Sequence, residues 1–422
     1  MKVAIIGAGF TGLSAALRLC REGHKVIIFE QDSVPGGLAS GFKEKGWRWP
    51  LEKHYHHIFE SDFAIRNLAR EEGHRMIFRQ TTTSMFTGKG ISDFDTPSSL
   101  LAFPELNLSE KLRTGAVLLF LKITPFWKPL EKVTAEEFLN KWMGTRVWNI
   151  LWRPLFEGKF GKYYRKIPAS WFWARIKKRS RKLGYPEGGF ENLANSLVIK
   201  ITKLGGECLF DTSINQIEKK GHQFRLKTDK GVEYDFDKVI SILPTPIFLK
   251  ITRGLPPGYV KKLSGLKEIG AVNLVLILKQ RFLTDIYWLN INSEDFPFLA
   301  VVEHTNYMSR RNYGSDRIIY VGNYLDSTHR YFGKSANQLL EEYLPFLKRI
   351  NPSFDKSWVK RLRVFKTPFA QPIIGLNFSK KIPSMTTPIN GLYLANIQQV
   401  YPWDRGTNYA VELGDKVADL VG

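Results

Sequence analysis

Three of the chain's eight histidines, His54, His56 and His57, stand within four positions, in the segment LEKHYHHIFESD (51–62). Imidazoles this close could ligate a metal, hold or move a proton beside a redox ring, or sit in a half-buried strand. A zinc site is disfavoured, because the spacing lacks the i, i+4 repeat of a helical pair and no cysteine or acid cluster completes a ligand set. No metal is therefore expected. As a strand, His54, His56 and Ile58 share one face and Tyr55, His57 and Phe59 the other, so the rings cannot all serve one site.

A second group of residues is better defined. In KVAIIGAGFTGLSAALRLCREGHKVIIFE, Gly7, Gly9 and Gly12 have G-x-G-x-x-G spacing. The first allows a tight turn, the second lets the backbone approach a pyrophosphate, and the third lets helix touch strand. Glu30 follows Gly12 by eighteen residues. An acid at that distance can bond ribose hydroxyls and would repel a 2′-phosphate, which argues against NADP.

The elements that must hold these residues are legible around them. Val3 to Ile6 reads as a buried parallel strand, Phe10 to Arg21 as a helix stopped near Gly23, and Lys25 to Phe29 as a second strand. The helix start offers unpaired N–H groups and partial positive charge to a phosphate. Strand, helix, strand and acid together predict a dinucleotide-binding unit.

A chain of 422 residues can build two or three domains. Its 43 % apolar and 24 % charged content is that of a globular protein. The net charge of +22 fits a partner carrying negative charge: nucleic acid, an anionic membrane surface or a phosphorylated substrate. Cys20 and Cys208 are the only cysteines, which rules out a disulfide framework and suits a reducing compartment. The apolar run Gly115 to Leu121 falls short of the roughly 20 residues of a membrane span. A cytoplasmic protein, peripheral on the inner face of the membrane, is expected.

After Glu30 comes SVPGGLASGF (33–42), whose Gly36–Gly37 pair resembles the second glycine motif of the flavoprotein superfamily of amine oxidases, phytoene desaturases and protoporphyrinogen oxidases. The tail GLYLANIQQVYPWDRGTNYAVELGDKVADLV (391–421) is similar to the family's closing strand and glycine-opened helix. The resemblance implies noncovalent FAD, held by Gly7, Gly9, Gly12, Glu30, Gly36, Gly37 and Ser40. It also implies that Gly406, Thr407 and Asn408 approach the isoalloxazine, where a helix start stabilises the negative charge of reduced flavin. Asp404 and Arg405 are expected to pair or to touch the ribityl and phosphate region, with Tyr401 and Trp403 as pocket walls. Ile214 and Ile217 sit where the family's backbone reaches adenine. Two departures stand out: Leu38 replaces the usual Arg after the glycine pair, and Ala395-Asn396-Ile397 replaces A-G-D/E. HHIFESD also resembles a segment of UDP-galactopyranose mutases, which implies a flavin-side histidine, His56 or His57. With Trp403, these are the candidate catalytic residues.

The fold class expected is α/β (α+β overall): a Rossmann-like FAD-binding domain with an inserted mixed α/β substrate domain. Residues 1–60, 186–244 and 388–422 would form the first; 61–185 and 245–387 the second. The runs AVNLVLIL, IYWLNI, FLAVVEHTN and IIYVGNYL suggest an antiparallel sheet over the flavin. The block 141–186 has thirteen Lys or Arg against one acid, Glu157, interleaved with tryptophans. Basic and aromatic residues together favour a membrane interface, with 110–185 as the contact region. A basic shell around a Trp-rich core, or a cradle for a diphosphate, would look the same. A nucleic-acid surface is disfavoured, since no nucleic-acid-binding signature accompanies it.

The function expected is oxidation: flavin N5 accepts a hydride from a hydrophobic, lipid-linked or phosphorylated small molecule. The rival is a sugar-nucleotide mutase without net redox change. A third reading is a flavin-binding membrane or partner module without turnover.

Overall fold

The computed structural model describes residues 1–422. A five-stranded parallel sheet contains, in spatial order, Glu207–Leu209, Lys25–Phe29, Lys2–Ile6, Lys238–Ser241 and Leu392–Leu394. Val3 lies opposite Val26 on one side and Lys238 on the other. Ile5, Ile28 and Ile240 have no solvent exposure, as strands covered on both faces require. The helices Phe10–Arg21, Phe190–Lys203 and Thr407–Asp419 pack together beside this sheet, sharing a core that includes Leu13, Leu197 and Val411. The Rossmann-like arrangement expected from the glycine motif is present. Its strands come from segments far apart in the chain because a parallel sheet needs long crossovers.

A second sheet has seven strands, in the order Val359–Ile373, Lys267–Leu278, Arg317–Leu325, Ala300–Glu303, Ile286–Ile291, Thr82–Phe86 and Ile91–Asp93. It is antiparallel except where Ile286–Ile291 runs parallel to Thr82–Phe86. The four runs read as strands pair antiparallel to one another, as expected, and Thr82–Phe86 adds the one parallel pairing. Thr82–Phe86 arrives from a distant stretch of chain, so no hairpin dictates its direction. The helix Ala336–Ile350 covers one face through Leu339, Tyr343 and Leu347.

Residues 97–178 are largely helical. Here the reading of the tryptophans as membrane-facing is corrected. Trp148, Trp152, Trp171 and Trp173 are buried in one core with Phe156, Phe160 and Phe172. Their helices turn the aromatic positions inward, where each ring removes a large apolar area from water, and leave most basic side chains outside. Trp142 alone of the block's tryptophans is strongly exposed. No helix is long and apolar enough to cross a membrane.

The histidine segment does not form the half-buried strand that is one of its three readings. Leu51–Glu52 pairs with Gly41–Phe42, whereas Ile58–Phe59 pairs with Lys182–Pro186. The chain changes sheets between them, and residues 53–57 belong to no strand.

Candidate active site

The two glycine motifs meet backbone to backbone. Gly36 N donates to Ala8 O at 2.9 Å, and Gly9 bridges Gly36. A Cβ on Gly37 would lie 3.2 Å from Gly9 Cα. On Gly12 a Cβ would come within 2.2 Å of Gly7 O, so the third glycine is what lets the helix sit on the turn. Ser40 closes the adjoining turn, with its N–H donating to Gly37 O at 3.0 Å.

Glu30 ends the second strand beside this turn. Its carboxylate accepts from Ala8 N at 2.7 Å and Asp32 N at 2.9 Å, while burial pushes its pKa up. The next segment closes over it: Thr212 N donates to Glu30 O at 2.9 Å, and Ile214 and Ile217 pack into the core that holds Phe29.

The helices Phe10–Arg21 and Thr407–Asp419 both start from glycine, Gly9 and Gly406, and neither has a side-chain cap. Thr407 Oγ1 is buried without a hydrogen-bond partner. Asn408 accepts from Ile65 N at 3.3 Å and donates to Glu412 at 2.8 Å. Asn396 serves the fold: its side chain donates to Leu243 O at 3.0 Å and Thr245 Oγ1 at 3.1 Å, joining two sheet ends.

Asp404 is enclosed by cations from the Trp-rich block. Its carboxylate accepts from Lys159 Nζ at 3.1 Å, Arg175 Nη1 at 3.0 Å and Trp171 Nε1 at 3.2 Å. Burial opposes its ionisation, yet Lys159, Arg175 and Arg405 hold the carboxyl well below the usual range. Arg405 donates to Gln371 Oε1 at 3.0 Å and bonds the Tyr324 hydroxyl. Trp403 lies in an aromatic stack, 5.1 Å from Trp173 and 6.2 Å from Tyr409.

A narrow cleft lies between these parts. From one side it is lined by Leu38, His54, Tyr55, His56 and Arg405, and from the seven-stranded sheet by Asn273 and Tyr324 among others. His54 Nδ1 meets Asn273 Nδ2 at 2.6 Å, and His56 Nδ1 is 2.6 Å from His54 O. Burial lowers His54 to about 3 and His56 to about 4, so both are neutral at pH 7. His57 turns the other way, packed between Phe59, Tyr287 and Trp288 with Nδ1 3.3 Å from Tyr287 OH. Burial lowers it to about 3 as well.

The structure therefore brings together His56 and Arg405 and sets His57 and Trp403 outside the cleft lining. Sequence reasoning missed Asn273, Tyr324, Gln371, Lys159 and Arg175. Asn273 had a signal, as the one polar residue inside the apolar run AVNLVLIL. The others had none, because their partners lie far along the chain. No group of three or more His, Cys, Asp or Glu is arranged to hold a metal.

The facing glycines leave room where side chains would fill it, and two glycine-started helices leave N–H groups open. Those features fit a dinucleotide pyrophosphate. Comparison with known proteins agrees. The chain is 22 % identical over 433 residues to the 15-cis-phytoene desaturase of Synechococcus elongatus, covering 93 % of this chain and 90 % of that one. In fold it resembles reduced UDP-galactopyranose mutase, with TM-score 0.79, 15 % identity and coverage of 100 % of this chain and 95 % of the other. A putrescine oxidase bound to putrescine gives TM-score 0.75, 15 % identity and coverage of 100 % and 99 %. Residues 10–421 match the model of the flavin containing amine oxidoreductases, so the chain belongs to that family and is an FAD-dependent oxidoreductase.

Proposed function

We propose that the protein oxidises a hydrophobic or lipid-linked substrate held in the cleft between the histidine segment and the seven-stranded sheet. The carrying observation is that cleft: it gathers Leu38 after the glycine pair, Arg405 before the closing helix, and Asn273 and Tyr324 from the sheet. FAD, bound noncovalently, supplies the hydride acceptor at N5. Gly7, Gly9, Gly12, Gly36, Gly37 and Ser40 would take its pyrophosphate region, Glu30 its ribose, Ile214 its adenine side, and Gly406 and Thr407 its ring. Asn408, Asn396 and Asp404 act from behind, by fixing the helix, the strand end and Arg405. Residues 1–60, 186–244 and 388–422 form the cofactor domain in this reading, and the rest the substrate domain.

The chain's own chemistry at the cleft is orientation. Neutral His54 and His56 present hydrogen-bonding groups without charge, and Arg405 supplies a fixed cation beside Tyr324. Leu38, Ala271 and Ala370 give the otherwise polar lining an apolar share, against which a substrate such as that of the relative named for phytoene could lay its reacting C–H bond.

The test is the visible spectrum of the purified protein, then anaerobic mixing with a membrane lipid extract. We expect a flavin band, FAD released on denaturation, and bleaching without added reductant. A preparation that stays colourless with excess FAD defeats the proposal. The mutase alternative rests on the HHIF segment and predicts activity on a nucleotide sugar only after prior reduction of the flavin. We rank it second because His57 faces Tyr287 and not the cleft.

A further inference from the structure

The helix Leu108–Ile123 packs Val117, Leu118 and Leu121 on the core and carries a second apolar row on its outer side, where a water-soluble surface helix is polar. Leu108, Leu112, Ala116, Leu119 and Ile123 recur at helical spacing along one side, and that side faces water. Leu119 is 61 % and Ile123 65 % exposed, and Phe126, just past the end, is 73 % exposed. Of the whole helix only Thr114 and Leu121 are buried. The element is not a frayed end. Asn107 and Glu110 close a capping box at its start, and Lys177 Nζ donates to Ile123 O at 2.9 Å at its finish.

The rim of this face is cationic. Lys122 Nζ donates to the carbonyls of Lys177 at 3.1 Å and Arg179 at 2.6 Å, which places those three basic residues at one end. Arg113 reaches Lys141 O at 3.2 Å beside exposed Trp142. Two copies pairing through this face would set the same cations against each other, on a chain already carrying +22. An anionic lipid surface meets the cations with opposite charge and lets the aliphatic side chains reach below the headgroups.

We propose that Leu108–Ile123 with Phe126 docks the protein on an anionic bilayer, inserting Leu112, Leu119, Ile123 and Phe126 to the depth of the upper acyl chains. The core beneath the helix, with Leu121 and Trp173, continues to Ile374, Phe378 and Tyr401 and packs Trp403. The docking face therefore adjoins the body that carries the Arg405 loop. Resting on the proposed function, this puts the membrane that dissolves an apolar substrate against the substrate side of the enzyme.

Flotation with phosphatidylglycerol–phosphatidylcholine vesicles tests it, comparing the native protein with L119E/I123E/F126E and with V232E, a control on the distant exposed hairpin. The native protein and V232E should float at low salt, more weakly with pure phosphatidylcholine. The triple variant should partition roughly tenfold less or worse, with unchanged melting temperature and flavin content. Native protein that stays at the bottom in low salt overturns the proposal. So does a triple variant that floats normally, or a native dimer that the three glutamates convert to a monomer. Flavin content read from the same samples keeps the two ideas apart: yellow protein that does not float defeats only the docking, and colourless protein that floats defeats only the cofactor reading.

Discussion

Two helices next to the facing glycines and four helices elsewhere in the chain start in opposite ways. On the cofactor side Phe10–Arg21 and Thr407–Asp419 begin at Gly9 and Gly406 with no side chain to accept from the first N–H groups. On the substrate side the helices after Thr96, Asn107, Thr134 and Ser335 each carry a complete capping box. A capping box satisfies two orphan donors from within the chain. A glycine start leaves them for something else. The first pair is thus shaped by side chains that are missing and the other four by side chains that are present, and under the proposed function the missing ones leave room for a phosphate and a reduced ring.

The largest effects should come from restoring a missing side chain. Gly12→Val drives a branched carbon toward Gly7 O, where a bare Cβ already comes to 2.2 Å. We expect a loss of about 3 kcal/mol or more, read as a collapsed melting transition and low soluble yield. Gly9→Ala is the sharper experiment. Its Cβ would meet only Ile242 Cδ1 at 3.5 Å and Gly37 Cα at 4.0 Å, which is ordinary contact. The apoprotein should therefore melt as the native apoprotein does, while FAD affinity measured by fluorescence quenching falls by about a hundredfold or more. Equal affinity would show that the facing glycines serve packing and nothing else.

The same distinction explains what the sequence could disclose. A missing side chain acts locally, so Gly7, Gly9, Gly12, Gly36 and Gly37 mark their turn in the sequence itself. A side chain that is present acts through partners. Nothing near His54 shows that it meets Asn273, 219 positions away, or that Arg175 and Lys159 converge on Asp404. The block 141–186 made the limit plain. Composition gave basic and aromatic residues in alternation, but not which face each occupied. The rings turned inward, and the exposed apolar stripe lies on Leu108–Ile123, nearly all of it within the 110–185 region expected to make contact. The histidine segment failed as a strand because its two ends are claimed by different sheets, a fact of topology that alternation cannot carry.

An intermediate effect is expected at the histidine segment. His57 is held neutral by burial, at about 3 against 6.5 for a free imidazole. Between those values the unfolded chain binds the proton and the folded chain does not, so stability falls as pH drops through 6.5 and recovers as it rises. His57→Phe, placed among Phe59, Tyr287 and Trp288, should remove this term. Unfolding midpoints in urea between pH 4.5 and 6.5 should show a slope shallower by about 1.4 kcal/mol per pH unit, with flavin binding at pH 7.5 unaltered. An unchanged slope would mean that the ring is hydrated and that packing by side chains reaches less far than drawn.

The smallest effects carry the comparison itself, through a matched pair of caps. Thr134→Ala removes a box whose hydroxyl accepts from Glu137 N at 3.1 Å, and should cost about 1 kcal/mol with no change in FAD affinity. Gly406→Asp adds a cap where none exists. Gly406 has φ 174, extended backbone open to any residue, and the nearest atom to an added Cβ is Tyr409 Cδ2 at 3.8 Å. The new carboxylate can accept from the free N–H groups and meets the positive end of the helix, worth roughly 0.5 kcal/mol to the apoprotein. It also places negative charge where the ring would be received, so FAD should bind roughly tenfold more weakly, more so when reduced. The variant should thus melt higher without cofactor and lower with it, a reversal read from paired thermal scans. If the aspartate stabilises both forms alike, the open start of Thr407–Asp419 faces water and not a cofactor, and its likeness to Gly9 is one of sequence alone.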